Sequence, residues 1–131
     1  MFMAENEFKK LHDLGKLTGI VTATTRQGLN YDLATHSITP DLVDYTQTTT
    51  ESTYFKPDPR VFEPAIEWLS ERNIKPNEVV YVGDGLHDME AAVGAGFGFI
   101  GVETGLVSAS QFKDNGAVSI QGIGELINLI K

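Results

Sequence analysis

Two aspartates stand four positions apart in the second half of the chain, directly after an apolar run. Asp84 follows the run Val79 to Val82 and a glycine, and Asp88 falls in the first turn of the helix expected next. Mg²⁺ prefers oxygen ligands, usually takes only one or two protein carboxylates and keeps several waters. Since a strand end and a helix start would bring both carboxylates to one point, the pair predicts a magnesium site. Asp88 could instead only cap its helix, and the residues alone weigh the two roles evenly.

Two residues upstream have the chemistry to hold a phosphate. Lys56 stands before Pro57-Asp58-Pro59, which restricts the backbone and starts a helix. We therefore expect the ammonium group of Lys56 to have a defined position. Thr22 ends an apolar run with a hydroxyl, and the backbone amides of Ala23 and Thr24 could form a small anion-binding concavity. Most lysines are solvated surface groups, and a threonine after a strand is common. The three signals in this order, rather than any one of them, favour phosphate chemistry.

Strand and helix patterns alternate along the chain and must position these residues. The expected strands cover residues 17–22, 42–45, 79–82, 97–102 and 118–120. The expected helices cover residues 8–14, 29–35, 59–73, 87–95 and 108–115, and a last one contains Ile123, Leu126, Ile127 and Ile130. Residues 46–52 are expected to form a loop. The alternation predicts an α/β fold with a mostly parallel sheet, whose ligands bind at the carboxyl ends of the strands, where Thr22 and Asp84 fall.

Length, charge and composition narrow the class of protein. A chain of 131 residues with 41% hydrophobic residues fits one domain over residues 1–131 with its own core. The net charge of −8 disfavours nucleic acid and anionic membrane surfaces as partners, because both need a basic face. There is no cysteine, no secretory signal and no long apolar segment, so we expect a cytoplasmic protein.

Several segments, taken together, resemble the haloacid dehalogenase (HAD) superfamily, in its phosphoglycolate-phosphatase-like branch. They are Thr22, Lys56-Pro57-Asp58-Pro59, Val79 to Asp84 with Asp88, Ala91-Ala92, Gly94-Ala95-Gly96 and Thr104-Gly105. The resemblance covers roughly residues 8 to 131. It implies a three-layer, Rossmann-like α/β core and the activity of a Mg²⁺-dependent phosphatase acting on a small phosphorylated metabolite.

The resemblance also implies a role for each matching residue. Thr22 matches the hydroxyl that binds phosphate in the second family motif, with the neighbouring amide of Ala23 beside it. Lys56 matches the catalytic, phosphate-binding lysine of the third motif. Asp84 and Asp88 match the acidic pair of the fourth motif, which surrounds magnesium.

The first family motif is missing from these 131 residues. Family members carry an Asp-x-Asp motif at the end of a first strand, whose first aspartate attacks phosphorus, and no Asp-x-Asp occurs here. The cap module that usually follows that motif is absent as well. We therefore expect an incomplete core that lacks its first strand, either a fragment or encoded in this form, and that is inactive by itself.

A missing first strand has a structural consequence. In the family this strand lies between the strands that here contain Ile20 and Val82, so its loss leaves two inner edges without backbone partners. We expect either direct pairing of those two strands or a second copy of the chain that fills the gap.

Two other functions stay open at the level of sequence. A non-catalytic chain could retain the phosphate and metal site for binding or for pairing with another subunit, and the missing nucleophile supports it. A phosphosugar mutase relative is the other alternative. Cleavage of a carbon–halogen bond is disfavoured, because that reaction needs no metal to bridge a phosphate.

Overall fold

Helices and strands alternate along the chain in the computed structural model, which describes residues 5–103, 105–122 and 125–130. The helices are α1 (Glu5–Asp13), α2 (Arg26–Thr35), α3 (Glu63–Ser70), α4 (Leu86–Gly94), α5 (Ala109–Asp114) and α6 (Leu126–Ile130). The strands are β1 (Gly19–Val21), β2 (Tyr45–Gln47), β3 (Val80–Gly83), β4 (Gly98–Val102) and β5 (Val118–Ile120). Short 3₁₀ turns cover Pro40–Leu42, Pro59–Phe62 and Pro76–Glu78. In the described ranges, no helix is long and apolar enough to cross a bilayer.

The chain forms two compact units, one made of residues 54–125 and the other of residues 2–53 with 126–131. Each unit has its own parallel sheet: β1 pairs with β2 in one, and β4 lies between β3 and β5 in the other. A helix separates the two strands of each pair along the chain, which is the pattern of an α/β protein. The predicted α/β class with parallel strands is confirmed, whereas one partial domain over residues 1–131 stays a prediction.

In the unit of residues 54–125, the segment Lys56-Pro57-Asp58-Pro59 leads into α3 as the sequence predicts. The Lys56–Pro57 peptide bond is cis. The Asp58 carboxylate accepts a hydrogen bond from the Arg60 amide at 3.0 Å, and Pro59 opens the 3₁₀ turn that precedes the helix. Proline is well tolerated at this place, because the first amides of a helix have no intrahelical partner.

Aromatic side chains pack behind β3 in this unit. Phe62, which is fully buried, contacts the ring of Tyr81 edge-on, with 4.9 Å between the centroids. Phe62 also contacts Phe97, again with 4.9 Å between the centroids. Such pairs contribute about 0.5–1.5 kcal/mol beyond the burial of their area. These contacts fix the ring of Tyr81, which projects from the middle of the strand.

Two glycines let helices approach their neighbours in the same unit. A Cβ on Gly94 of α4 would lie 2.4 Å from Cγ of Pro59, and a Cβ on Gly101 of β4 would lie 2.6 Å from the ring of Phe112. A Cβ almost never approaches another atom this closely, so a larger residue at either place would force its neighbour to move. Helix α4 therefore packs tightly on the turn that follows Lys56, and α5 on β4.

The only tryptophan of the chain, Trp68, lies on α3. The guanidinium carbon of Arg72 lies 3.7 Å from the centroid of its ring, and Arg72 Nη1 donates a hydrogen bond to the Trp68 carbonyl at 2.9 Å. The same arginine thus stacks on the indole and satisfies a carbonyl at the end of the helix.

The other unit is built around an apolar cluster between α1 and the segment before β2. Its buried members are Phe8, Ile38, Leu42 and Val43, with Ile20 and Leu33 packed against them. Thr18, before β1, donates its amide to Asp44 at 2.8 Å and its hydroxyl to the Leu42 carbonyl at 2.9 Å. These contacts hold β1 beside β2 by side chains as well as by the strand ladder.

A polar network fixes the segment that follows β2. Glu51 accepts from Arg26 with one oxygen, and from the amide and hydroxyl of Thr48 with the other, at 2.8 and 2.6 Å. Arg26 also donates to the hydroxyl of Thr46 at 2.7 Å. Burial alone would raise the pKa of Glu51, but the donors outweigh it and lower the pKa to about 2. Residues expected to form a plain loop are thus held by charge-assisted hydrogen bonds.

Several element boundaries differ from the sequence prediction, and α3 begins at Glu63 rather than at residue 59, because a 3₁₀ turn covers Pro59–Phe62. Helix α2 begins at Arg26 rather than at residue 29, because the Thr25 side chain accepts from the Gly28 amide and caps the helix. Strand β2 begins at Tyr45 rather than at residue 42, because Pro40 starts a 3₁₀ turn that buries Leu42 instead. The expected role of Ile123 in the last helix, and Thr104 of the family resemblance, lie outside the described residues.

The Ile20 and Val82 strands lie in two different units, and their direct pairing stays a prediction. β1 and β3 belong to separate sheets, and each has only its following strand, β2 or β4, as a neighbour among the described strands. A second copy that fills the gap stays a prediction.

Candidate phosphate and metal site

A lysine, an aspartate and a tyrosine meet beside β3. Lys56 Nζ lies 2.6 Å from Oδ1 of Asp88 and 3.1 Å from the hydroxyl oxygen of Tyr81. The side chains of Lys56 and Asp88 are 22% and 14% exposed, so their ion pair is largely shielded from water. The structure therefore brings together two of the residues predicted from the sequence, and adds the tyrosine.

The start of α4 places Asp88 in this cluster. Asp88 is the third residue of the helix, and its Oδ2 accepts from the Gly85 amide at 3.0 Å. A carboxylate is favoured here, because the first turn of a helix presents unpaired amides and the positive end of the helix dipole. Of the two roles weighed for Asp88, the helix cap is visible on Oδ2, while Oδ1 holds Lys56 and the role as a metal ligand stays a prediction.

A glycine at the end of β3 makes room for the Asp88 side chain. A Cβ on Gly83 would lie 2.6 to 2.7 Å from Cβ, Cγ and Oδ2 of Asp88. Any larger residue at this position would push the carboxylate away. Gly83 therefore sets the distance between the strand and the first turn of α4.

Lys56, Tyr81 and Asp88 influence one another's pKa values. Burial alone would lower the pKa of Lys56, but the electrostatic effects of Tyr81 and Asp88 and their hydrogen bonds outweigh it, so this pKa is raised. Burial raises the pKa of Tyr81, and the opposing effect of Lys56 is smaller. At neutral pH the cluster therefore contains an ammonium ion and a neutral phenol, which can accept from Lys56 through its oxygen.

Asp84 follows β3 directly and is half-buried. Within the described part of the chain, no side chain or amide donates to its carboxylate. A Cβ on Gly105 would lie 3.1 Å from Cβ of Asp84, so only glycine leaves normal space beside it. In the described ranges no group of three acidic or histidine side chains forms a metal cluster.

The donor set nevertheless fits Mg²⁺, which often takes only one or two carboxylates from a protein. Asp84 would be its principal ligand, since its oxygens have no described protein donor. Asp88 has one donor on each oxygen and retains lone pairs, because a carboxylate has about four acceptor positions. The assignment of both aspartates as ligands stays a prediction.

Thr22 and Ala23 lie in the unit of residues 2–53 and 126–131, directly after β1. The Thr22 amide donates to the Gln47 carbonyl at 3.0 Å, which continues the β1–β2 ladder. Its hydroxyl accepts from the Thr24 amide at 3.2 Å, so this amide of the expected concavity has an internal acceptor. Binding of phosphate by Thr22 and Ala23 stays a prediction.

Tyr81 and Gly83 are the site residues that the sequence analysis missed. The sequence contained a signal for each residue. Tyr81 and Gly83 are two positions apart in a strand and so share a face, and Gly83 stands next to Asp84. Once the Asp88 side of β3 is known, the alternation places Tyr81 on that side. The contact with Lys56 could not be foreseen, because it depends on how the segment of residues 54–58 folds back.

The sequence model of the haloacid dehalogenase-like hydrolase family matches residues 4–102 of this chain. A search of curated proteins found no match to the chain. Among solved structures, a protein from Bacteroides fragilis assigned as a haloacid dehalogenase-like hydrolase is 29% identical with a TM-score of 0.80, covering 92% of this chain and 56% of its own.

Two further structures share the fold. A protein from Thermotoga maritima assigned as a beta-phosphoglucomutase is 21% identical with a TM-score of 0.79, over 95% of this chain and 56% of its own. A protein from Lactobacillus delbrueckii subsp. bulgaricus assigned as a phosphoglycolate phosphatase is 20% identical with a TM-score of 0.78, and the match covers 95% of this chain and 51% of that protein. The chain thus spans about half the length of these three proteins. Because the family model matches more than half of the sequence, the chain belongs to the haloacid dehalogenase-like hydrolase family.

Proposed function

We propose that this chain supplies the phosphate-binding and metal-binding part of a Mg²⁺-dependent phosphomonoester phosphatase and is inactive by itself. One observation carries the proposal: the Lys56 ammonium is held by Asp88 and Tyr81, while the carboxylate of Asp84 has no donor in the described part of the chain. A shielded cation, together with a carboxylate that has no donor among the described residues, suits an anion and a divalent metal.

The residues of the chain suggest a division of roles. Lys56 neutralises an oxygen of the phosphate, and its position is fixed by Asp88. In the other unit, Thr22 and Ala23 offer a hydroxyl and an amide that can bind a phosphate oxygen. Mg²⁺, held by Asp84 and Asp88, would offset the remaining negative charge of the phosphate. The substrate is a small phosphorylated metabolite.

Inactivity follows from the nucleophile that the family uses. The sequence contains no Asp-x-Asp, so the chain lacks the carboxylate that would attack phosphorus. The fold relative from Thermotoga maritima makes a phosphosugar mutase the second candidate for the intact protein. A purely binding or subunit-pairing role is the third candidate, and it rests on the same missing nucleophile.

Binding and turnover, measured together, test this proposal. We expect the chain to bind inorganic phosphate in the presence of Mg²⁺ in a calorimetric titration, and to release no product from p-nitrophenyl phosphate. Lys56→Met should weaken phosphate binding about ten- to a hundredfold, since a charge-assisted hydrogen bond contributes roughly 1.5–3 kcal/mol. Lys75→Met is the matched control, because Lys75 is exposed in the same unit.

Two outcomes would overturn the proposal. Phosphate affinity that does not depend on Lys56 would exclude the assigned site. Robust turnover that Lys56→Met abolishes would show that the chain contains a nucleophile after all.

A further inference from the structure

The hydroxyl of Tyr81 occupies a fixed position beside the Lys56 ammonium. Tyr81 lies in the middle of β3, in register with Phe99 of β4, and its ring contacts Phe62 edge-on at 4.9 Å between the centroids. A tyrosine ring has only two side-chain torsions, so packing of the ring also fixes its oxygen. This oxygen lies 3.1 Å from Lys56 Nζ.

The ammonium group is oriented by more than one contact. An ammonium has three N–H donors, and a lysine side chain is long and flexible, so a single ion pair leaves it free to swing. Here one donor goes to Oδ1 of Asp88 at 2.6 Å and a second to the Tyr81 oxygen at 3.1 Å. Among the described residues, the third N–H has no acceptor, which leaves it for a ligand.

The ring of Tyr81 alone would not need a hydroxyl. Phenylalanine would keep the contact with Phe62, and the polar atom is buried at a cost unless it is hydrogen-bonded. Lys56 Nζ lies 5.4 Å from the centroid of the ring but 3.1 Å from its oxygen, so the ammonium sits at the hydroxyl end of the ring. The feature that distinguishes tyrosine from phenylalanine thus serves Lys56.

We infer that Tyr81 is a positioning residue: its hydroxyl and Asp88 together fix the Lys56 ammonium so that one N–H remains for an oxygen of a bound phosphate. This inference rests on the proposed function, because it assumes that Lys56 binds the phosphate. It adds a residue that acts through Lys56 and does not touch the phosphate itself.

A double-mutant cycle on the full chain tests the inference. Phosphate affinity with Mg²⁺ is measured by calorimetry for the wild type, Tyr81→Phe, Lys56→Met and the double variant. We expect Tyr81→Phe to weaken binding by roughly three- to tenfold, which is the loss of one hydrogen bond. In the Lys56→Met background the same change should have no effect. Tyr31→Phe, which alters an exposed tyrosine, is the matched control.

A second measurement does not depend on phosphate. The ammonium signal of Lys56 in a ¹H–¹⁵N NMR spectrum reports how strongly its protons are held, and we expect it to be visible in the wild type and broadened in Tyr81→Phe. Melting temperatures of all variants show whether the fold is intact. The ammonium signal is compared between Tyr81→Phe and the control Tyr31→Phe without any ligand.

The outcomes separate the inference from the proposed function. If Lys56→Met weakens phosphate binding but Tyr81→Phe changes neither affinity nor the ammonium signal, the inference is wrong and the proposed function stands. Equal weakening by Tyr81→Phe in both backgrounds would indicate a structural role and would also overturn it. If Lys56→Met leaves phosphate binding unchanged, the proposed function fails, and the ammonium signal alone decides whether Tyr81 positions the lysine.

Discussion

At the scale of single residues, the two aspartates of the acidic pair are not equivalent. Sequence spacing treats Asp84 and Asp88 as one motif. In the structure Asp88 receives a proton donor on each oxygen, from Lys56 and from the Gly85 amide, whereas Asp84 has none in the described ranges. We therefore expect Asp88 to stabilise the protein itself and Asp84 to serve mainly as a ligand of a bound ion.

This difference predicts unequal effects of the two substitutions on stability. Asp88→Asn should lower the free energy of unfolding by about 1–3 kcal/mol, because the shielded Lys56 ammonium would lose its charged partner. Asp84→Asn should change it by less than about 0.5 kcal/mol, or raise it. Urea unfolding at neutral pH without metal measures both values.

Magnesium supplies the complementary measurement for the same pair of variants. Mg²⁺ should raise the melting temperature of the wild type, since a ligand that binds only the folded state stabilises it, and should not raise that of Asp84→Asn. Equal loss of stability in both variants would contradict the assignment of a separate role to each aspartate.

At the scale of elements, local capping chemistry was predictable. Asp58 followed by Pro59 indicates a helix start, and Gly96, at a φ of 87°, ends α4 as expected. These signals work because one side chain or one backbone angle determines each of them. The place of Asp84 after a strand followed from another signal, the apolar run Val79 to Val82.

The position of β2 was not predictable, because tertiary contacts decide it. Leu42 and Val43 are apolar, but they are buried in the cluster with Phe8 rather than in a strand. Gln47 is polar, yet it is 1% exposed and belongs to β2, where its side chain accepts from the Tyr45 hydroxyl at 2.8 Å. A polar residue with a buried partner is compatible with a strand, and the sequence pattern gives no sign of that partner.

The spacing between β3 and α4 makes a prediction about Gly83. Gly83→Ala should destabilise the protein by roughly 1–3 kcal/mol and weaken phosphate binding, because the new Cβ displaces Asp88. Gly98→Ala is the matched control: its Cβ would meet only ordinary contacts, at 3.5 Å or more, from another strand of the same sheet. Thermal melts and phosphate titrations of the two variants check this, and similar behaviour of both would contradict it.

The network after β2 makes a prediction about pH. Glu51 has a pKa of about 2 in the folded protein against an ordinary value of 4.5, so its ionised form adds stability above pH 4.5 that is lost as the pH falls toward 2. Glu51→Gln should cost about 1 kcal/mol at neutral pH, and the difference from the wild type should shrink at about pH 3.

The control for this pH dependence is Glu67→Gln, which alters an exposed carboxylate on α3. Its free energy of unfolding should stay within about 0.5 kcal/mol of the wild type. A Glu51→Gln variant whose deficit is the same at neutral and acid pH would show that the carboxylate charge does not stabilise the network.

At the scale of the whole molecule, the net charge and the edge strands have opposite effects on self-association. The net charge of −8 keeps copies apart, while β3 has only β4 as a neighbour among the described strands, and an edge strand can pair with a strand of another chain. We expect association that increases between about 20 mM and about 1 M salt, since salt screens the repulsion. Sedimentation velocity over a range of protein concentrations measures it.

Two matched variants test whether association occurs through the edge of β3. Val80→Lys places a charge on β3, where the side chain is 48% exposed, and should reduce association. Val93→Lys adds the same charge to α4, at a residue that is 61% exposed, and should reduce it much less. A molecule that stays monomeric in all conditions would rule out association through this edge.

The stacking of Arg72 on Trp68 gives the protein a built-in optical reporter. Because the chain has a single tryptophan, and it lies in the unit of residues 54–125, intrinsic tryptophan fluorescence observes that unit directly. A cation 3.7 Å from the indole ring should also affect the emission, so release of Arg72 on unfolding should be visible as a change in intensity or wavelength. Circular dichroism, in contrast, observes the helices of both units. Coincident melting curves from the two probes would therefore indicate one cooperative unfolding transition, and separate curves would mean that the two parallel sheets melt independently.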